Sequence, residues 1–117
     1  ATLSALKKIA PGRIIAIHEP HRYSRLKDLF NEFSKCFNIA DKVFFLPVFS
    51  AGEKPIKNIS SHYLLKSIKK NKNNYMYIDD KDRLCDSLIK CIKKDDYVIF
   101  LGAGPISKLA YSFAKKI

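Results

Sequence analysis

Four short apolar runs, each closed by polar residues and followed by an amphipathic segment, constrain this chain more than any other feature: Ile14 to Ile17, Val43 to Phe49, Tyr75 to Ile78 and Tyr97 to Leu101. Near-continuous apolar runs of that length suit strands covered on both faces, and the period near 3.6 between them suits helices. The expected fold class is therefore α/β: a single three-layer, Rossmann-like domain with a mainly parallel sheet and helices on both faces. The chain has 117 residues, no repeat and no composition shift, which fits one domain with a modest core.

The spacing predicts a first helix over about 1 to 9, with Leu3, Leu6 and Ile9 on one face, stopping at Pro11-Gly12. It opens without a cap, so the chain is expected to be an excised fragment of a longer polypeptide. A helix over about 25 to 37 turns Leu26, Leu29, Phe30, Phe33 and Phe37 inward. Strand two, Val43 to Phe49, contains Pro47, which suggests a bulge or an edge. A third helix runs over about 60 to 71, capped by Ser60 or Ser61, and a fourth over about 82 to 93, with Asp79-Asp80 as cap and turn. The last helix follows Pro105 and buries Ile106, Leu109, Ala110, Phe113 and Ile117.

A formal net charge of +11 raises the question of nucleic acid, but the charge is mostly lysine. Lys7 and Lys8, Lys69, Lys70 and Lys72, Lys93 and Lys94, and Lys115 and Lys116 fall at expected helix ends, where cations complement the dipole. No arginine-rich or aromatic-interleaved stripe accompanies them, so no nucleic-acid partner is expected. Nothing approaches the roughly 18 apolar residues of a membrane span. The three cysteines, Cys36, Cys85 and Cys91, are odd in number and lack metal-ligand spacing. Cys85 and Cys91 would lie about 240° apart around a helix axis, so all three are expected to pack in a reduced, cytoplasmic setting. No metal site is expected.

Polar segments following parallel strands converge on one sheet edge, where such folds bind ligands. Here they are His21 to Arg25, Ser50 to Glu53, Asp79-Asp80 and Gly102 to Gly104. If Ser24 opens a helix, Arg22 and Arg25 flank its N-terminus and can grip a carboxylate or phosphate beside His21. Equally open is a pairing of one arginine with Asp28 or Glu32, with His21 a structural hydrogen bonder. Gly102-Ala103-Gly104 lacks the third glycine of a dinucleotide fingerprint and the lysine of a P-loop, so it also reads as a tight turn. Glu53 would hold an ammonium group or an arginine, or be solvated. No general base with a matched nucleophile is visible, so no residue is assigned a catalytic role.

Pro20-His21-Arg22-Tyr23-Ser24-Arg25 with Asp28-Leu29-Phe30, Ala40-Asp41, Val48-Phe49-Ser50-Ala51-Gly52-Glu53 with Pro55-Ile56, and Gly102-Ala103-Gly104 with Ile106 together resemble the C-terminal domain of the Mur ligases. Within that family they resemble the branch that joins L-alanine to UDP-N-acetylmuramate, and the resemblance covers essentially the whole chain. The resemblance implies an ATP-dependent ligase of peptidoglycan synthesis in which an acyl phosphate is attacked by the amine of L-alanine. It implies that Arg22 and Arg25, with His21 beside them, hold the alanine carboxylate, and that Tyr23, Glu53, Gly102 and Gly104 are further candidates for lining the site. ATP and Mg would be bound mainly by a central domain that, like the UDP-sugar domain, is not in this chain, so the chain alone should be inactive. Two positions depart from the family pattern: Phe49 replaces the common tyrosine and Glu19 the usual glutamine. The alternative is a stand-alone α/β module that binds small anions or nucleotides without catalysis.

Overall fold

The computed structural model describes residues 2–9, 12–68, 74–102 and 106–116. In chain order the elements are α1 (Thr2–Ile9), β1 (Ile14–His18), α2 (Tyr23–Asp28), α3 (Phe30–Cys36), a 3-10 turn (Phe37–Ile39), β2 (Lys42–Phe45), α4 (Ser61–Ser67), β3 (Tyr75–Tyr77), α5 (Lys81–Cys91), β4 (Tyr97–Leu101) and α6 (Ile106–Lys116). The strands form one parallel sheet in the order β3-β2-β1-β4, which is the expected α/β architecture. Central β1 is buried at all five positions, as a strand covered on both faces must be.

Side-chain alternation along β1 and β2 divides the core into two clusters. Ile14, Ala16, Val43 and Phe45 face Leu3, Leu26, Phe37, Leu64 and Ile68 of the α1 to α4 layer. Ile15, Ile17, Phe44 and Leu46 face Leu84, Leu88, Ile106, Leu109 and Phe113 of α5 and α6. The amino end of β1 is fastened twice: Asp41 accepts from the Ile14 amide at 2.7 Å while its own amide donates to the Ile14 carbonyl. Beside it the Arg13 guanidinium forks onto Asp96 at 3.1 and 2.7 Å and donates to the Cys91 carbonyl. This hydrogen-bonded pairing lowers the Asp96 pKa.

Several elements differ from the sequence reading. The helix expected over 25 to 37 starts at Tyr23 and divides at Leu29 (φ −106°, ψ 13°), with Phe37 entering a 3-10 turn; no proline or glycine explains the break. Leu26 and Phe37 are buried, and Phe30 and Phe33 pack against the core. Strand two ends at Phe45 rather than Phe49: the Leu46 amide still donates to His18, but Pro47 has no N–H with which to continue. The helix expected to reach residue 71 stops at Ser67, with residues 69–73 outside the described set. Lys93 and Lys94 lie beyond the end of α5, not in its last turn, and Cys36 is exposed while only Cys85 is fully buried. Ser60 caps α4 by accepting from Tyr63, and Asp80 caps α5 by accepting from Asp82 at 2.8 Å.

Candidate functional site

The order of connections reverses between β1 and β4, so the segments that follow these two parallel strands leave toward opposite faces of the sheet and border a crevice at its carboxyl edge. The crevice is a cavity of about 550 Å³ bordered by His18, Glu19, His21 and Arg25 on the β1 side and by Leu101 and Gly102 on the β4 side. Leu26, Phe33 and Phe37, supplied by α2, α3 and the turn after them, give it an apolar wall, and Lys35 of α3 also borders it. Gly102 closes this end by approach: a Cβ there would lie 2.7 Å from the Glu19 carbonyl oxygen. Glycine is thus needed for the packing of two strand ends. Gly104 lies outside the described residues.

A second, more open cleft is bordered by His21, Arg22, Ser24, Arg25, Asp28 and Leu29. Both arginines therefore face one volume, and His21 with Arg25 joins it to the cavity. The ion pairs found among the described residues, Arg13–Asp96, Lys81–Glu19 and Arg83–Asp79, include neither arginine. The pairing with Asp28 or Glu32 allowed by the sequence is not formed.

The backbone holding Arg22 is unusual. After β2 ends, the chain returns so that the Phe49 amide donates to Pro20 and the Arg22 amide donates to Phe49, both at 2.8 Å. His21 stacks on the Phe49 ring at 5.4 Å. Between these ties Arg22 adopts φ 70°, ψ 138°, a region that favours glycine. Such a conformation costs on the order of 1–3 kcal/mol. The Arg22→Gly protein should therefore be as stable as the parent or more stable by about 1 kcal/mol in denaturant melts, while losing the guanidinium. A clear loss of stability would show that the side chain, not the strained backbone, dominates.

The idea that a free helix N-terminus receives the anion needs correcting. Helix α2 begins at Tyr23 with Arg22 as its cap residue, and the Glu53 carboxylate already occupies its first turn. Glu53 accepts from the Ser24 amide at 3.1 Å and from the Ser24 hydroxyl at 2.6 Å. These bonds hold its carboxyl below the usual range. Glu53 is a cap for α2 and, like Tyr23, borders neither cavity. An anion at this edge must be held by the side chains.

Two further residues at this edge are fixed by the fold. Glu19 is 3 % exposed and pairs with Lys81 at 3.5 Å from the start of α5. His18 is 5 % exposed among aromatic rings. The apolar run before it signalled a buried strand, but it did not signal that the strand's last residue would be a buried imidazole. Among the described residues no group of three or more His, Cys, Asp or Glu side chains could hold a metal ion. No described helix is long and apolar enough to cross a membrane.

Comparison with known proteins gives the family. The family model for the Mur ligase, glutamate ligase domain matches residues 1–104. UDP-N-acetylmuramate–L-alanine ligases from Chelativorans sp. and Mesorhizobium japonicum are each 43 % identical over 118 aligned positions, and that of Bartonella bacilliformis is 41 % identical. Each alignment spans all of this chain but 25 % of the relative, so the chain covers about a quarter of their length. A solved domain assigned to a UDP-N-acetylmuramate:L-alanyl-gamma-D-glutamyl-diaminopimelate ligase of Haemophilus ducreyi shares the fold, with a TM-score of 0.60 over 98 % of this chain and 77 % of that one at 20 % identity. With a family match over most of its length and relatives that align along the whole of it, this chain belongs to the Mur ligases.

Proposed function

We infer that this chain is the amino-acid-binding domain of an ATP-dependent ligase that joins L-alanine to UDP-N-acetylmuramate in peptidoglycan synthesis. The observation carrying the reading is that His21, Arg22 and Arg25 border one open cleft beyond the carboxyl end of β1. A planar guanidinium fork matches a carboxylate, and holding that carboxylate neutralises its charge and directs the amine. ATP supplies the activation of the acceptor carboxyl. In that reaction this chain's share is to bind and orient the amine donor. Closure of the domain over a nucleotide-binding neighbour would complete the site.

Identities near 40 % to enzymes named for this reaction support the substrate pair. The test is ADP release by the full-length protein. Release should require UDP-N-acetylmuramate and L-alanine together; release that ignores L-alanine, or that needs a different acceptor, overturns the reading.

A further inference from the structure

The corner of the fold where α1 ends and β4 begins combines two lysine pairs with exposed apolar side chains. Ile9, expected to face inward on α1, is 73 % exposed and directly follows the exposed Lys7 and Lys8. The segment entering β4 presents Lys93 and Lys94, both exposed, and Tyr97, 36 % exposed. Several contacts hold the two segments together. The Tyr97 amide donates to the Arg13 carbonyl at 2.8 Å, and the Arg13 guanidinium donates to the Cys91 carbonyl at 3.0 Å. Gly12 packs so closely on the Asp95 carbonyl that a Cβ has no room. Alternation along β4 sets Tyr97 with Ile99 and Leu101, on the sheet face that α1 covers.

The charge of this corner is one-sided. Arg13 and Asp96 neutralise each other, and Asp96 also accepts from the Lys93 amide. Asp41, just before β2, is spent on the Ile14 amide. Asp95 is the one remaining carboxylate in the two segments, against four lysines that join none of the ion pairs found among the described residues. Complementing a helix dipole accounts for Lys7 and Lys8. Lys93 and Lys94 lie beyond α5, and the dipole gives no reason to expose Ile9.

Ammonium groups set around an aliphatic and a phenolic side chain match a bilayer that carries anionic headgroups. The lysines meet the headgroups, while Ile9 and Tyr97 enter the headgroup boundary. A nucleic-acid surface fits less well: its phosphates leave Ile9 without a partner, and the arginine of this corner is already locked on Asp96. We propose that this corner is a peripheral docking surface for an anionic membrane, reversible and governed by salt. Because the strands are parallel, it lies at the amino edge of the sheet, opposite the His21–Arg25 cleft, and docking leaves that cleft uncovered.

The experiment is sedimentation of the full-length protein with phosphatidylcholine vesicles and with vesicles of equal parts phosphatidylcholine and phosphatidylglycerol. Binding should favour the anionic vesicles at least about tenfold and should fade as salt rises from about 0.05 to 0.5 M. Each lysine near such a surface contributes about fivefold, so the variant Lys7→Gln, Lys8→Gln, Lys93→Gln, Lys94→Gln should bind at least about fiftyfold more weakly. Ile9→Ser should bind about threefold more weakly. Both variants should unfold at the parent's denaturant midpoint. Equal binding to the two vesicle types, no binding to the anionic ones at low salt, or parental binding by either variant overturns the proposal. Tighter binding to duplex DNA than to the anionic vesicles, lost in the same four-lysine variant, assigns the corner to nucleic acid and also overturns it. Should the four-lysine variant not fold, Lys93→Gln with Lys94→Gln decides: a loss of at least about tenfold is expected, and an unchanged affinity overturns the proposal.

Discussion

Arg25→Ala in the full-length protein should raise KM for L-alanine and lower kcat/KM by roughly 30- to 150-fold. The figure corresponds to about 2–3 kcal/mol, the range for a charge-assisted hydrogen bond to a carboxylate that becomes partly enclosed. Arg25 borders both the open cleft and the cavity, whereas Arg22 borders only the cleft, so Arg22→Ala should have the smaller effect. Arg25→Lys should also be impaired, because a single ammonium group cannot reproduce a planar fork. Steady-state kinetics with L-alanine as the varied substrate checks all three. Unchanged alanine kinetics in Arg25→Ala would remove that residue from the site and, with it, the inferred role of this edge.

Acid should weaken the fold through His18 before it acts through the carboxylates. The imidazole titrates near 4 in the folded protein against 6.5 unfolded, because burial penalises the cation. The unfolded chain therefore takes up this proton first. The stabilisation is complete above pH 6.5 and is lost as pH falls toward 4, where the loss reaches about 3 kcal/mol. Asp96 acts in a different window: its pKa is lowered from 3.8, so its contribution persists above that value and falls only in stronger acid. Denaturant melts at pH 7 and pH 4.5 should show a large drop for the parent and a much smaller one for His18→Phe, which cannot protonate there. Equal drops in the two proteins would mean that His18 is not the group responsible.

Much of the architecture was legible because it depends on local periodicity. The runs at Ile14, Tyr75 and Tyr97 became strands within about a residue of their expected limits, and the helices buried most of the stripes that their spacing marked, although Ile9, expected inward on α1, is 73 % exposed. Asp80 was readable as a cap because an acidic residue just before an apolar period has few other local uses. Val43 to Phe49 was read too long: Pro47 was readable as a bulge or an edge, but in an interior strand its missing amide instead ends the ladder. The break at Leu29 had no sequence signal at all.

At the site, sequence determined the residue types and tertiary structure determined which of them share a volume. The motif placed His21, Arg22 and Arg25 after a strand, and the parallel topology brought Gly102, some 77 positions after Arg25, to the same crevice. Only the fold committed Glu53 to capping Ser24, forced Arg22 into its strained conformation through the pairing of His21 with Phe49, and buried His18 with an unpaired nitrogen. The physical reason is range. Helix and strand periods are written between residues a few positions apart, whereas a cap, a strained turn or an orphaned imidazole depends on which distant segment packs against it.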